Sequence, residues 1–153
     1  MKSSRSTRFR KSAGSVRAAP LVVDRSSLES RREVKILVVE DHTMVREGLC
    51  QLLDGYSGWK VCGEAGNGKE AIEKAHALHP DLVVIDLLMP IMNGIEATKE
   101  IRRLCPTTKV VMVSMYDSQE KAAEKAGANA YVGKSRTWCD LRDAIAGVLQ
   151  DGT

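Results

Sequence analysis

From Val34 onward the chain alternates short apolar runs with amphipathic stretches of helix length, and this alternation limits the fold more than any other feature. The runs KILVV (35–39), KVCGE (60–64), LVVI (82–85), VVMV (110–113) and AYV (130–132) are brief and rich in β-branched or aromatic residues, the pattern of strands covered on both faces. Between them Val45, Leu49, Leu52 and Leu53 recur at helical spacing, as do Ala71, Ile72, Ala75 and Leu78, then Ile95, Thr98, Ile101 and Leu104. A short fourth helix is expected near 118–126. A fifth, from about Thr137, carries Trp138, Leu141, Ile145, Val148 and Leu149 on one face. Punctuation agrees: Asn67-Gly68 and Asn93-Gly94 precede helices, while His79-Pro80 and Cys105-Pro106 follow them. The order is (βα)5. Right-handed crossovers between parallel strands make this an α/β, doubly wound, five-stranded sheet, and such sheets bind ligands beyond the carboxyl ends of their strands.

That rule directs attention to the residues just past each run. Glu40-Asp41 ends the first, Asp86 the third and Ser114 the fourth, and Lys134 lies just past the fifth. Any one of these acids would pass for a helix cap or turn former. Together they bring three carboxylates to one edge, where they repel one another unless a cation sits among them. Oxygen donors drawn from loops suit Mg²⁺, which keeps waters and takes one or two carboxylates plus phosphate oxygens. A small hydroxyl and a lysine are the group types that hold phosphoryl oxygens. The nucleophile is then a carboxylate, and Asp86, ending the most apolar strand, is best placed to attack phosphorus without a general base.

The rest of the composition bounds the organisation. The 153 residues leave room for one domain over 34–151 after a basic tail over 1–33. Residues 1–32 hold nine Lys or Arg against Asp24 and Glu29, a net +7, so the overall +3 leaves −4 on the remainder. The tail is Ser-rich with Phe9 its lone aromatic, so it is read as a solvated, disordered segment; nucleic-acid binding through phosphate contacts is the rival reading. No apolar run approaches the roughly 18 residues of a membrane span, and no secretory signal is visible. Cys50, Cys62, Cys105 and Cys139 form no CxxC pair and read as free thiols, in keeping with a cytoplasmic location.

The segments ILVVEDHTMVREGLCQLL (36–53), DLVVIDLLMPIMNGIEATKEIR (81–102) and AGANAYVGKS (126–135) resemble the receiver domains of two-component response regulators, over essentially all of 34–151. The Asp-His-x-x-Val-Arg-x-Gly-Leu run is similar to the subgroup that often carries a C-terminal helix-turn-helix. The resemblance implies a flavodoxin-like fold and a site in which Asp41 contacts Mg²⁺, Glu40 supports it from behind, and Asp86 is both ligand and phosphoacceptor. The backbone carbonyl of Leu88 would complete the ligands. Ser114 and Lys134 would hold the phosphoryl group, and Tyr131 would change position as Ser114 moves. His42 is taken as a helix-start residue. A histidine kinase or phosphotransfer protein would supply the phosphoryl group and a downstream protein would read the result, making the chain a self-phosphorylating and self-dephosphorylating switch rather than a turnover enzyme.

Three departures from that pattern shape the expectations. The chain stops at Thr153 after the fifth helix, so a stand-alone receiver is expected, without a DNA-binding module and without a membrane anchor, its homodimerisation left open. Ser114 and Lys134 are 20 residues apart, a short interval whose deletion falls in the fourth helix and alters the expected signalling face. Ser135 stands where many receivers have Pro. The alternatives are a pseudo-receiver that serves as a binding or dimerisation module, and an Asp-nucleophile phosphohydrolase; the latter resemble Asp-x-Asp at the first strand, where this chain has Glu40-Asp41-His42.

Overall fold

The computed structural model describes residues 32–133 and 138–151. The chain divides into two units, Met1–Arg32 and Glu33–Thr153, and the sheet with its helices belongs to the second. Five strands, β1 (Val34–Val39), β2 (Trp59–Ala65), β3 (Leu82–Asp86), β4 (Lys109–Ser114) and β5 (Ala130–Gly133), form one parallel sheet in the order β2-β1-β3-β4-β5. They alternate with α1 (Thr43–Asp54), α2 (Gly68–Leu78), α3 (Gly94–Leu104), α4 (Glu120–Ala126) and α5 (Trp138–Asp151). All five expected strands and all five helices are present, and the sheet is doubly wound as the alternation requires.

The two faces of the sheet explain why the central strands read as unbroken apolar runs. Successive side chains point to opposite faces. Leu37, Val39, Val83, Ile85, Val110 and Met112 pack with Ala71 and Ala75 of α2, Ala97 and Ile101 of α3 and Ala123 of α4. The intervening residues Ile36, Val38, Val84, Val111 and Val113 pack on the other side with Leu49 and Leu53 of α1 and Leu141, Ile145 and Val148 of α5. The small residues of α2, α3 and α4 let three helices share one face, whereas the two helices opposite present Leu, Ile and Val.

Three residues placed on buried stripes are exposed instead: Val45, Leu104 and Trp138, the last at 52%. Helical Cα–Cβ bonds tilt towards the N-terminus, so Val45 and Trp138, in first turns, aim past the start of their helices. Leu104 ends α3, and Cys105, where the chain turns away, takes the buried place. The fourth helix begins later than expected, after a 3₁₀ turn over Asp117–Gln119, and has only seven residues.

The dipeptides that punctuated the sequence act as caps. The Asn67 and Asn93 side-chain oxygens each accept a 2.9 Å hydrogen bond, from the Glu70 and Glu96 N–H groups respectively, satisfying a first-turn donor. His42 does stand immediately before α1, with extended backbone, but its side chain makes no capping bond.

Candidate functional site

Strand register decides which residues meet. Val39 of β1 pairs with Ile85 of β3, so Glu40 and Asp86 are level one step further along adjacent strands, about 4.8 Å apart in the pairing direction. Asp86 in turn pairs with Val113, and Ser114 pairs with Gly133. Glu40-Asp41, Asp86 and Ser114 thus share the carboxyl edge of three neighbouring strands. Lys134, the residue after Gly133, lies outside the described residues, as does Ser135.

The acids are held below the surface. Glu40 is 1% exposed, Asp86 6% and Ser114 1%, while Asp41 is partly open. Arg46 of α1 fixes the turn after β1: its guanidinium donates to the Glu40 carbonyl at 2.7 Å and to the Glu64 carboxylate on β2 at 3.1 Å. Glu40 N–H donates to the Ala65 carbonyl at 3.0 Å. The His42 Nδ1 atom stands 3.4 Å from Asp41 Oδ1 and 3.7 Å from Glu40 Oε1.

The segment after Asp86 is shaped by two glycines. A Cβ on Gly94 would lie 2.3 Å from the Asp86 carbonyl oxygen, and one on Gly68 would lie 2.6 Å from the Met92 carbonyl oxygen. Without side chains these residues let α3 and α2 close on the loop: Gly94 N–H donates to Leu87 O at 2.8 Å, and Gly68 N–H to Met92 O at 3.2 Å. Between these anchors Ile91 adopts φ +72° and is 78% exposed, a strained backbone for a β-branched side chain. In the same segment Leu88 is exposed and Leu87 buried.

Ser114 and Tyr131 converge on one residue that sequence reasoning missed. The Tyr116 N–H donates to Ser114 Oγ at 3.0 Å, and the Tyr131 hydroxyl donates to the Tyr116 carbonyl. The two expected switch residues therefore hold opposite sides of one peptide segment. Nothing in the sequence around Tyr116 signals this, because its backbone rather than its side chain makes both bonds. Tyr116 also lines a groove of about 470 Å³ with Leu87, Leu88, Asn93, Ile95, Ser118 and Gln119.

Whether these residues suit Mg²⁺ is answered by the donor set. Asp41 Oδ1 is shut off from solvent and accepts no hydrogen bond among the described residues. Such an oxygen is costly to bury unless a cation meets it. Carboxylate oxygens on adjacent loops are what a hard ion takes, so the residues fit.

Comparison with known proteins agrees with this architecture. The family model described as "Response regulator receiver domain" matches residues 36–146. The response regulator protein VraR of Staphylococcus saprophyticus is 43% identical over 114 residues, covering 73% of this chain and 54% of that protein, so the chain spans about half the length of the curated relatives it matches. A two-component response regulator of the LuxR family from Aurantimonas sp. SI85-9A1 superposes with a TM-score of 0.75 at 35% identity, covering 78% of this chain and 86% of that one. The response regulator domain of Thermotoga maritima CheB gives a TM-score of 0.68 at 33% identity, over 79% and 97% of the two chains. Among the described residues no helix is long and apolar enough to cross a membrane. With the strand order, the acidic edge and these likenesses in agreement, the chain belongs to the response regulator receiver domain family.

Proposed function

We propose that Asp86 accepts a phosphoryl group from a phosphohistidine of a histidine kinase or phosphotransfer protein, and that the change is read by a downstream protein. One observation carries this reading: register brings Glu40, Asp41, Asp86 and Ser114 to a single sheet edge with their polar groups largely buried. In the transfer an Asp86 carboxylate oxygen bonds to phosphorus while the P–N bond to the donor imidazole breaks, and the imidazole nitrogen regains its lone pair. Mg²⁺, when bound, neutralises charge on the phosphoryl oxygens.

Asp41, Asp86 and the Leu88 carbonyl would hold the cation, with Glu40 in support. Ser114 gives up its bond from Tyr116 N–H and turns its hydroxyl to a phosphoryl oxygen. Lys134, one residue beyond the Ser114 partner Gly133, pairs with the added charge. Release of Ser114 loosens the segment that Tyr131 also holds, so both residues change together. This assigns 34–151 to the receiver and 1–33 to a basic tail, and it places the protein in the cytoplasm, where such kinases deliver phosphoryl groups.

The test is incubation with Mg²⁺ and acetyl phosphate, followed by intact mass measurement. A one-phosphoryl mass gain that needs Mg²⁺, is lost in Asp86→Ala and is labile to hydroxylamine is expected. No adduct on folded protein would favour a pseudo-receiver that binds partners without phosphate.

A further inference from the structure

Among the described residues, His42 supplies the one imidazole at the acidic edge. Its backbone starts α1, the His42 carbonyl accepting from the Arg46 N–H at 2.9 Å, but its side chain is 71% exposed and makes no capping bond, so helix initiation leaves the imidazole unused. Two donors each about 2.1 Å from one ion are separated by about 3.0 Å at a right angle and about 3.4 Å at the tetrahedral angle. The 3.4 Å between His42 Nδ1 and Asp41 Oδ1 falls on that range, and the 3.7 Å to Glu40 Oε1 lies just outside it. The ligand atoms of all three residues lie within 4.8 Å of one another.

From this geometry we infer that the edge also takes a nitrogen-preferring divalent transition ion, such as Ni²⁺, Co²⁺ or Zn²⁺, through His42 Nδ1 with Asp41 and Glu40, in competition with Mg²⁺. Carboxylates alone favour no such ion, whereas an imidazole shifts a mixed N/O site towards late first-row metals. Mg²⁺ dehydrates reluctantly and gains little from a nitrogen donor. The inference rests on Asp41 being a cation ligand, as proposed above, and adds a second class of ion that the chain discriminates by one side chain.

Calorimetric titration of the full chain with NiCl₂ and separately with MgCl₂ tests it, using His42→Ala and His42→Gln. The other two histidines, His76 and His79 on and after α2, have ring centroids 6.2 Å apart and could bind nickel themselves. A background carrying His76→Gln and His79→Asn removes them; Asn suits the left-handed backbone of position 79. In that background Ni²⁺ is expected to bind more tightly than Mg²⁺, and either His42 variant to lower the Ni²⁺-to-Mg²⁺ affinity ratio by about tenfold or more. Substoichiometric Ni²⁺ should also broaden the His42 imidazole resonances before those of any other residue. An unchanged ratio in both folded His42 variants overturns the inference, as does nickel binding that disappears with His76 and His79 alone. If Ni²⁺ binds through His42 while Mg²⁺ does not bind at all, the His42 metal site stands, and its competition with Mg²⁺ falls together with the Mg²⁺-dependent receiver reading.

Discussion

Gly94 shows how closely a single residue governs Asp86, the proposed phosphoacceptor. Its α-carbon lies so near the Asp86 carbonyl that a methyl group has nowhere to go. Gly94→Ala is therefore expected to destabilise the fold by about 1–3 kcal/mol through overpacking. It should also slow phosphoryl uptake, because the atoms displaced are the backbone of Asp86 itself; urea denaturation and the acetyl phosphate assay read the two effects. Ile91 calls for the opposite change. A left-handed β-branched residue stores about 1–3 kcal/mol, so Ile91→Gly, at a site with no packing to lose, should stabilise by roughly 1 kcal/mol after the extra chain entropy of glycine is deducted. Cys50 gives a pH signature. Burial, then the nearby Glu64 and Asp54 carboxylates, push its thiol from 9.0 up to about 11. The folded chain thus holds this proton more tightly than the unfolded chain. The contribution is complete below pH 9 and is lost as pH rises towards 11. The denaturation midpoint of Cys50→Ala should accordingly fall less steeply than wild type across that window.

At the scale of elements, α4 stands apart. Seven residues after a 3₁₀ turn are too few for a helix to persist on propensity alone, and only Ala123 and Ala126 are buried. Amide hydrogen exchange is expected to be fastest among the helices in Glu120–Ala126 and slowest in β3 and β4. Set against the receiver domains the sequence resembles, the short Ser114-to-Lys134 interval already marked this helix as abbreviated. The central strands β1, β3 and β4 were equally legible, since runs buried on both faces need no partner to be recognised. Val45, Leu104 and Trp138 were not, because helical periodicity says which way a side chain points but not where the covering sheet ends. The site divides in the same way. Asp41, Asp86 and Ser114 follow from the rule about strand ends, whereas the meeting of Ser114 and Tyr131 at Tyr116 depends on backbone atoms that no side-chain pattern encodes.

Considered whole, the described residues of Glu33–Thr153 build a core on each face of the sheet. Deleting 1–32 should leave the melting temperature of the remainder within about 2 °C of the full chain, a shift smaller than 1 kcal/mol produces in a domain of this size. Cation binding should act on the entire fold: Mg²⁺ at a hundred times its dissociation constant stabilises by about 2.7 kcal/mol. Thermal scans with Mg²⁺, and again after chelation, should show that rise and its reversal, and Asp41→Asn should abolish both.

The position of β3 has one more consequence. It is the middle strand of five, bonded on both sides, and each of its residues from Leu82 to Asp86 is buried. A negative charge added at its tip meets a foundation that cannot recede, with two packed layers behind it. Motion must then run outwards, into the exposed loops above the sheet, where Leu88, Met115 and Tyr116 already face water. Under the proposed phosphorylation the sheet would work as an anvil, taking a local chemical blow without yielding and leaving the surface to move.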